Sequence, residues 1–357
     1  MKLTFEEKVA LLDGSDVWHT KVFEGVPSIM MADGPHGIRK QLESTDTLGL
    51  SGSVKATAFP TASLTACSFD RDLIAKMGKA LATEAKANEV NMILGPGINM
   101  KRSPLCGRNF EYFSEDPFLT GKLASGLIEG IQSEGIGTSI KHFAVNNHET
   151  GRMMVDAIVD ERTLREIYLP GFEIPIKESQ PWTVMCSYNK VDGTYLSEHH
   201  RLLTEILRDE WGFDGIVMTD WGATNQRIEG IKAGLDLEMP ASGRLNTDRI
   251  IKAVQSGELS YDKLDACVTR LLALIIKSRR LLNDNHQHSA NEHHQVAKLA
   301  ALEACVLLKN EQQNLPLSTS DKVGVIGALA KDTRYQGSGS SQINPTHLDQ
   351  PLEAISL

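Results

Sequence analysis

The sequence has little of what would attach a protein to nucleic acid or anchor it in a membrane. Its 37 lysines and arginines are outnumbered by 46 aspartates and glutamates, and no basic block occurs, which excludes an electrostatic surface for nucleic acid. The opening MKLTFEEKVALL lacks the apolar core of a signal peptide, and no run approaches the ~18 apolar residues of a membrane span. We therefore predict a soluble cytoplasmic protein with a neutral or cationic small-molecule ligand and no nucleic-acid or membrane partner.

Cysteine is also scarce. The five cysteines are odd in number, widely spaced and free of any C-x-x-C pair. Disulfide frameworks use paired cysteines and structural zinc sites use closely spaced ones, so the sequence favours neither. We predict reduced, mostly buried thiols, and the sequence indicates no metal and no cofactor.

The remaining composition is typical of an α/β protein. Among 357 residues 41% are hydrophobic, which is enough for a large core. Short apolar runs alternate with helical periodicity, as in parallel strands joined by crossover helices. The candidate strands are Ser28–Asp33, Asn91–Ile98, Gly137–Phe143, Thr183–Tyr188, Gly215–Asp220 and Leu235–Met239. We predict a TIM-type (β/α)8-like barrel over residues 1–284, with irregular closure allowed because only six strands are evident.

The sequence changes character after Leu282. The stretch NDNHQHSANEHHQ is polar and aperiodic, which is typical of a surface linker, and we interpret its histidines as solvated. We assign residues 285–322 to this linker and to a helix over Gln295–Lys309 that leads into a second domain. Residues 323–357 begin with a predicted strand, Val323–Ile326, and are predicted to be the truncated start of an α/β sandwich, because they cannot supply the strands of a buried parallel sheet.

Polar side chains stand where the candidate strands end, and in a parallel barrel these ends meet at one mouth. Asp33 precedes the rigid sequence Gly34-Pro35-His36-Gly37, so its carboxylate can accept two sugar hydroxyls. The alternative, favoured for this residue taken alone, is a turn aspartate bonded to its own backbone.

Lys141 and His142 end another candidate strand, and Arg152 follows in a loop rich in hydrogen-bonding side chains. This density of donors favours recognition of hydroxyl groups. The alternatives are a solvated loop, or a metal site formed by His142, His148 and Glu149, whose spacing matches no known ligand pattern.

Arg108 lies in the run CGRNFEYFSEDP, in front of a helix that Pro117 can start. Its guanidinium can clamp a pair of hydroxyls. Equally, it can form a structural ion pair with Glu111 or Asp116, and the spacing does not decide between the two roles.

The segment DGIVMTDWGA, from Asp214 to Ala223, carries the sharpest signal. An apolar strand delivers one carboxylate, Asp220, followed by the indole of Trp221. Glycoside hydrolysis needs a rigidly held carboxylate at the anomeric carbon, and an indole offers an apolar face to a sugar ring. The alternative is that Asp220 caps the next helix.

Five motifs, in their order and spacing, resemble those of glycoside hydrolase family 3 β-glucosidases. They are DGPHGIR from Asp33, GRNFEYFSEDP from Gly107, KHF from Lys141 through Arg152, VMCSYN from Val184 and VMTDW from Val217. VLLKN from Val306 and LPL from Leu315 resemble the family's passage into its second domain. The resemblance therefore covers nearly the whole chain.

This resemblance implies a retaining β-glucosidase that hydrolyses terminal β-D-glucosyl residues of small β-glucosides or oligosaccharides. Asp220 would be the nucleophile, Tyr188 would lie beside it, and Trp221 would form a wall of the leaving-group subsite. The residues that would hold the glucose hydroxyls are Asp33, Arg108, Lys141, His142 and Arg152.

The family's acid/base is a glutamate of the second domain, beyond the end of this chain, so the resemblance assigns that role to no residue here. A missing second domain or a partner chain would supply it; without it, the chain would be a catalytically impaired sugar-binding fragment. Residues Ala144–Glu149 differ from the Gly-His-Gly stretch of the family's N-acetylglucosaminidases, which favours a glucoside. A β-xylosidase or another β-glycosidase of the family stays open.

Overall fold

The computed structural model describes residues 2–42, 52–279 and 287–356. Its centre is a parallel sheet of five strands, each paired with the next along the chain. These are β1 (Met31–Asp33), β2 (Met92–Leu94), β3 (Gly137–Phe143), β4 (Thr183–Cys186) and β5 (Ile216–Thr219). Every residue in them is buried, so both faces of the sheet are covered, which explains why most of these strands read as apolar runs.

An N-terminal hairpin closes the sheet into a barrel. The pairings that complete the ring are Met218 with Leu237 and Asp13 with Glu238, both parallel, and Gly14 with Thr20 and His19 with Met30, both antiparallel. Residues 13–20 therefore lie between the strand segment around Leu237 and β1, where Met31 N–H donates to the Trp18 carbonyl (2.9 Å). The predicted TIM-type α/β class is confirmed, and the closure is irregular because a hairpin completes the ring.

Helices surround the barrel. The α-helices are Phe5–Leu11, Ala62–Thr65, Arg71–Ala87, Pro117–Ser133, Glu161–Thr163, Pro170–Ser179, Arg227–Ala233, Leu245–Ser256, Tyr261–Arg279, Ala290–Glu303 and Pro351–Ser356, and Leu164–Tyr168 and Arg201–Glu210 are π-helical. Short strands outside the barrel are Lys55–Ala56, Asp156–Ala157, Lys190–Val191, Thr194–Tyr195 and Asn344–Pro345. Among the described helices, none is both long and apolar enough to cross a membrane.

Side chains begin several of these helices. At the first helix, Thr4 Oγ1 accepts from the Glu7 N–H (3.2 Å) and the Glu7 carboxylate accepts from the Thr4 N–H (2.7 Å), a reciprocal capping box. Asp116 accepts from two backbone N–H groups of the helix that Pro117 starts. The cap places that helix directly after the motif that contains Arg108.

The segment after the barrel differs from the prediction in two ways. The helix spans Ala290–Glu303 instead of Gln295–Lys309. It buries His293, whose Nδ1 lies 2.7 Å from Glu84 Oε1, so a solvated role for that histidine is wrong. The strand predicted over Val323–Ile326 is also wrong: these residues are irregular, and Ile326 is 98% exposed. No described strand pairs with them, and a strand without a ladder leaves its backbone groups unpaired. The linker histidine His286 lies outside the described residues.

All five cysteines are free thiols. Cys186 and Cys267 are buried, whereas Cys67 and Cys305 are exposed, so the prediction of mostly buried thiols is wrong for the latter two.

Residues 336–345, here called the strap, return from the C-terminal segment to the barrel. Asn344–Pro345 pairs in parallel with Lys55–Ala56, and Ile343 is buried against the loop after β1. The strap therefore lies at the carboxyl-terminal mouth of the barrel.

Close helix packing yields a test of the fold. Helices Arg71–Ala87 and Pro117–Ser133 approach so closely at Gly130 that an added Cβ would lie 2.1 Å from the Ala75 carbonyl oxygen. We expect Gly130→Ala to lower the free energy of unfolding by about 1–3 kcal/mol, even after its gain in helix propensity, because the helices must move apart. Urea unfolding measures this change.

The matched control is Gly324→Ala, where nothing lies within 4 Å of the added Cβ. It should change the unfolding free energy by less than about 0.5 kcal/mol. Equal urea midpoints for the two variants would contradict the close packing at Gly130.

Candidate active site

The predicted site residues meet in one cavity of about 500 Å³ at the mouth of the barrel. They arrive there because β1, β3, β4 and β5 are parallel, so the residues at or just after their carboxyl ends gather at one mouth. The predicted residues that line this cavity are Asp33, Arg108, Lys141, His142, Arg152, Tyr188, Asp220 and Trp221. The structure thus brings the whole predicted set together, while their individual roles stay predictions.

Asp220 follows β5 and is only 8% exposed. Its backbone is fixed on both sides: its N–H donates to the Cys186 carbonyl (3.0 Å), and its carbonyl accepts from the Ala223 N–H (2.9 Å). Oδ1 accepts from the Trp221 N–H (2.7 Å), whereas Oδ2 accepts no hydrogen bond from the described residues. The next helix is preceded by Gln226, so the capping role considered for Asp220 is wrong.

His142 lies beside the unbonded oxygen, with Nε2 3.7 Å from Asp220 Oδ2. Its backbone is held by Asn99, which accepts from His142 N–H (2.7 Å) and donates to the His142 carbonyl (2.9 Å). Burial, followed by the charges of Arg108, Lys141 and Arg152, lowers the pKa of His142 well below its ordinary value. The imidazole is therefore neutral near pH 7.

Asp33 lies between two cations. Lys141 Nζ is 3.8 Å from Oδ1 and Arg39 Nη1 is 3.5 Å from Oδ2. Burial raises the pKa of Asp33, and the two cations oppose that rise. This position supports the ligand-binding interpretation over that of a turn aspartate.

Two arginines on loops complete the polar wall, and each is paired with a glutamate. Arg108 pairs with Glu111, as one of the sequence alternatives predicted, and it also lines the cavity. Arg152 Nη1 lies 3.0 Å from Glu149 Oε2, and its guanidinium stacks 4.6 Å from the centroid of the Tyr188 ring. Both arginines therefore have fixed positions before any ligand binds.

Part of the cavity lining is aromatic. Trp221 lies 5.5 Å from Trp18 between ring centroids, and Trp221 Nε1 donates to the Val17 carbonyl (2.7 Å). Tyr188 OH donates to the Trp221 carbonyl (3.0 Å), and burial together with the Asp220 charge raises the pKa of Tyr188. A cavity lined both by charged groups and by indole rings offers hydrogen bonds and an apolar surface, the combination that a sugar ring needs.

Comparison with known proteins decides the family. Residues 21–274 match the family model described as the glycosyl hydrolase family 3 N terminal domain. The chain belongs to glycosyl hydrolase family 3. Residues 305–357 match the C-terminal domain of the same family, and the resemblance found in the motifs is confirmed.

Several family 3 proteins resemble the chain along almost all of its length. Thermostable beta-glucosidase B of Acetivibrio thermocellus is 53% identical over 99% of this chain and 47% of its own length. Exo-alpha-(1->6)-L-arabinopyranosidase of Bifidobacterium longum is 48% identical over 99% of this chain and 48% of its own. The structure of beta-glucosidase 3B from Thermotoga neapolitana in complex with glucose has a TM-score of 0.93 at 40% identity, covering 99% of this chain and 53% of that one. The chain spans about half the length of these relatives.

Sequence reasoning missed several residues of the family 3 cavity. Trp18 reaches it through the hairpin that closes the barrel, and no motif marked that hairpin. Glu111 was predicted as an ion-pair partner of Arg108, and Glu149 as one polar side chain of the loop before Arg152 or as a metal ligand; neither was predicted as a residue of the sugar site by name. The strap contributes Ser338, Gly339 and Ser340. Its Gly-Ser composition gave no signal of a structured segment.

One group of side chains that could hold a metal ion lies outside the lining of this cavity. Among the described residues, the one group of three that could hold a metal ion is His294, His347 and Asp349. Asp349 already pairs with both imidazoles, at 3.1 and 2.9 Å, which accounts for the cluster without an ion. The alternative of a metal site at His142, His148 and Glu149 has no support in this geometry.

His36, in the loop after β1, is buried beside the cavity. It is 3% exposed and lies edge-on to Phe110, with 6.1 Å between ring centroids. Burial lowers the pKa of His36 to about 4, so the folded protein keeps this ring neutral.

This burial predicts a pH dependence of stability. Between pH 6.5 and 4 the unfolded chain binds a proton at His36 that the folded protein does not bind. The free energy of unfolding is therefore unaffected by this group above pH 6.5 and falls as the pH is lowered towards 4. From pH 7.5 to 4.5 this group alone should cost about 2–3 kcal/mol. Urea unfolding of the wild type and of His36→Asn at both pH values isolates the term.

On acidification from pH 7.5 to 4.5, the His36→Asn variant should lose about 2–3 kcal/mol less of its unfolding free energy than the wild type loses. Replacing the exposed His200 by Asn is the matched control, and it should leave the pH dependence close to that of the wild type. Parallel losses in the wild type and in His36→Asn would refute the neutral, buried state.

Proposed function

We propose that this chain carries the nucleophile-bearing half of a retaining β-glucosidase, with Asp220 as the nucleophile. The observation that supports it most is the asymmetry of the Asp220 carboxylate. One oxygen is held by the Trp221 N–H, and the other is buried at the cavity without a hydrogen bond from the described residues. A carboxylate oxygen without donors keeps its electron density for attack on carbon.

In the proposed reaction, the cavity first binds the terminal sugar through its hydroxyls. Carboxylate and cation pairs such as Asp33 with Lys141 offer both acceptors and donors to vicinal hydroxyls. Asp220 Oδ2 then forms a bond to the anomeric carbon while the bond to the leaving oxygen breaks, and an acid protonates that oxygen. Water then attacks the anomeric carbon and gives a proton to the group that served as the acid, while Asp220 leaves with the electron pair of its bond, which gives net retention.

The proton donor is proposed to come from outside this chain, from a second domain or a partner chain. Each other carboxylate that lines the cavity faces a cation: Asp33 faces Lys141, Glu111 faces Arg108 and Glu149 faces Arg152. Against the effect of burial, Arg108 and Lys141 hold the pKa of Glu111 below its ordinary value, whereas a general acid must carry its proton. Burial raises the pKa of Asp33, but its two carboxylate oxygens face Lys141 and Arg39, and in this proposal they accept sugar hydroxyls.

A second candidate is a glycosidase for a pentopyranoside. A relative at 48% identity is named an exo-alpha-(1->6)-L-arabinopyranosidase. α-L-Arabinopyranosides and β-D-xylosides share the pyranose ring of β-D-hexosides but lack the C6 group. They would therefore engage the same nucleophile, and only the contacts around C6 would separate these substrates.

The role of Asp220 can be tested without the acid. We expect 2,4-dinitrophenyl 2-deoxy-2-fluoro-β-D-glucoside to label the chain once per molecule, because its leaving group departs without protonation and the fluorine slows release. Intact mass and peptide mapping should place the fluoroglucosyl group on Asp220. Asp220→Asn should remain unlabelled.

Asp214→Asn is the matched control, since this carboxylate precedes β5 at the opposite end of the barrel from the cavity, and it should label like the wild type. Labelling of another residue, or equal labelling of Asp220→Asn, would remove Asp220 from the proposed role.

The external acid predicts a strong dependence on the leaving group. We expect the chain alone to release dinitrophenolate from dinitrophenyl β-D-glucoside but to hydrolyse cellobiose poorly. The ratio of the cellobiose rate to the dinitrophenyl glucoside rate should be at least about a hundredfold lower than in a complete family 3 enzyme, because general-acid catalysis contributes about 10²–10⁴-fold. Efficient hydrolysis of cellobiose by this chain would contradict the external acid. Dinitrophenyl β-D-xyloside and α-L-arabinopyranoside measured in parallel decide the glycone.

A further inference from the structure

The strap makes one buried polar contact with the barrel. Ser341 Oγ donates to Glu111 Oε2 (2.6 Å). Both residues are almost fully buried, at 2% and 1% exposure. A hydrogen bond to a carboxylate in such a site is strong, and leaving that carboxylate oxygen without its donor is costly.

The same carboxylate holds a residue of the proposed sugar site. Glu111 Oε1 pairs with Arg108 Nη2, and Arg108 lines the cavity. Burial opposes the charge on Glu111, but Arg108, Lys141 and the Ser341 hydroxyl hold the pKa of Glu111 below its ordinary value. Glu111 therefore stays ionised, with one oxygen directed to the strap and the other to the guanidinium.

Packing fixes the strap in one position over this carboxylate. An added Cβ at Gly337 would lie 2.3 Å from the Phe110 ring, so the strap backbone touches the residue next to Glu111. On the other side of Ser341, Ile343 is buried and fills the space beside Gly37. These apolar contacts on both sides leave the Ser341 hydroxyl little freedom to turn away from Glu111.

We infer that Ser341 and Glu111 are positioning residues for Arg108, so that seating of the strap sets the orientation of the guanidinium that binds the sugar. This inference rests on the proposed function of the cavity. Ser338, Gly339 and Ser340 of the strap line the cavity directly. In addition, Ser341 would act on the sugar site through the buried carboxylate of Glu111. Strap seating and sugar binding are then thermodynamically coupled, each strengthening the other.

A double-mutant cycle on the full chain tests this coupling. The probe is 1-deoxynojirimycin, a glucose-like cation, with its Kd measured by titration calorimetry. We expect Ser341→Ala to raise the Kd roughly tenfold. In this variant the buried Glu111 carboxylate loses a hydrogen-bond donor, so Arg108 no longer has a partner in a fixed position. In an Arg108→Ala background, Ser341→Ala should cause no further loss.

Three comparisons separate positioning from a merely structural role. Ser341→Thr keeps a hydroxyl and should recover most of the affinity. Gln342→Ala, the exposed neighbour on the same strap, should bind like the wild type. Urea unfolding of each variant reports stability, so a loss of affinity can be set against any loss of folded protein.

The outcomes are distinct. Equal, additive losses of affinity from Ser341→Ala in the wild-type and Arg108→Ala backgrounds would overturn the positioning role, as would wild-type affinity in Ser341→Ala. If the wild-type chain bound no 1-deoxynojirimycin and also took no fluoroglucosyl label, the proposed function itself would fail and this inference with it. Labelling of the wild type together with an unaffected Ser341→Ala variant would overturn this inference alone.

Discussion

Buried carboxylates and cations meet at the barrel mouth, and each is stabilised there by a partner of opposite charge. Removing a single charge from water costs several kcal/mol, and this cost is offset only by a well-placed counter-charge or hydrogen bond. Lys141 is the counter-charge of Asp33, and Arg108 is the counter-charge of Glu111. Because these pairs are buried, their geometry is fixed before a ligand arrives, and a rigid polar wall follows from the electrostatics of burial.

The partners in these pairs come from distant parts of the chain, so the pairing depends on the barrel. Asp33 ends β1, whereas Lys141 lies near the end of β3, and they meet only because β2 holds the two strands in register. The N-terminal hairpin has a similar effect on the aromatic wall, since it closes the ring and places Trp18 against Trp221. The fold and the site are thus stabilised by some of the same contacts.

Much of this arrangement follows from the sequence, because apolar runs that end in polar residues mark both the strands and the mouth of a parallel barrel. Asp33, Lys141 and Asp220 could be placed at the cavity on that ground. Trp18 could not, since the closing hairpin pairs through isolated bridges and is too short for a periodic pattern. The order within the Gly-Ser strap depends on Phe110 and Gly37, which are far away in sequence. The first turn of the helix Ala290–Glu303, which buries His293, was missed for the same reason: the partner of His293 is Glu84 of another helix, and local polarity indicated only a linker.

Burial and the cations of the cavity also set the pKa of His142, which lies beside the proposed nucleophile. A protonated His142, with Nε2 3.7 Å from Asp220 Oδ2, would donate a charged hydrogen bond to that oxygen and withdraw the electron density that attack requires. Arg108, Lys141 and Arg152, together with burial, lower the pKa of His142 and keep it neutral. Their proposed role in holding hydroxyls is therefore joined to a second proposed effect, since the positive field that would orient the sugar also keeps His142 neutral beside Asp220.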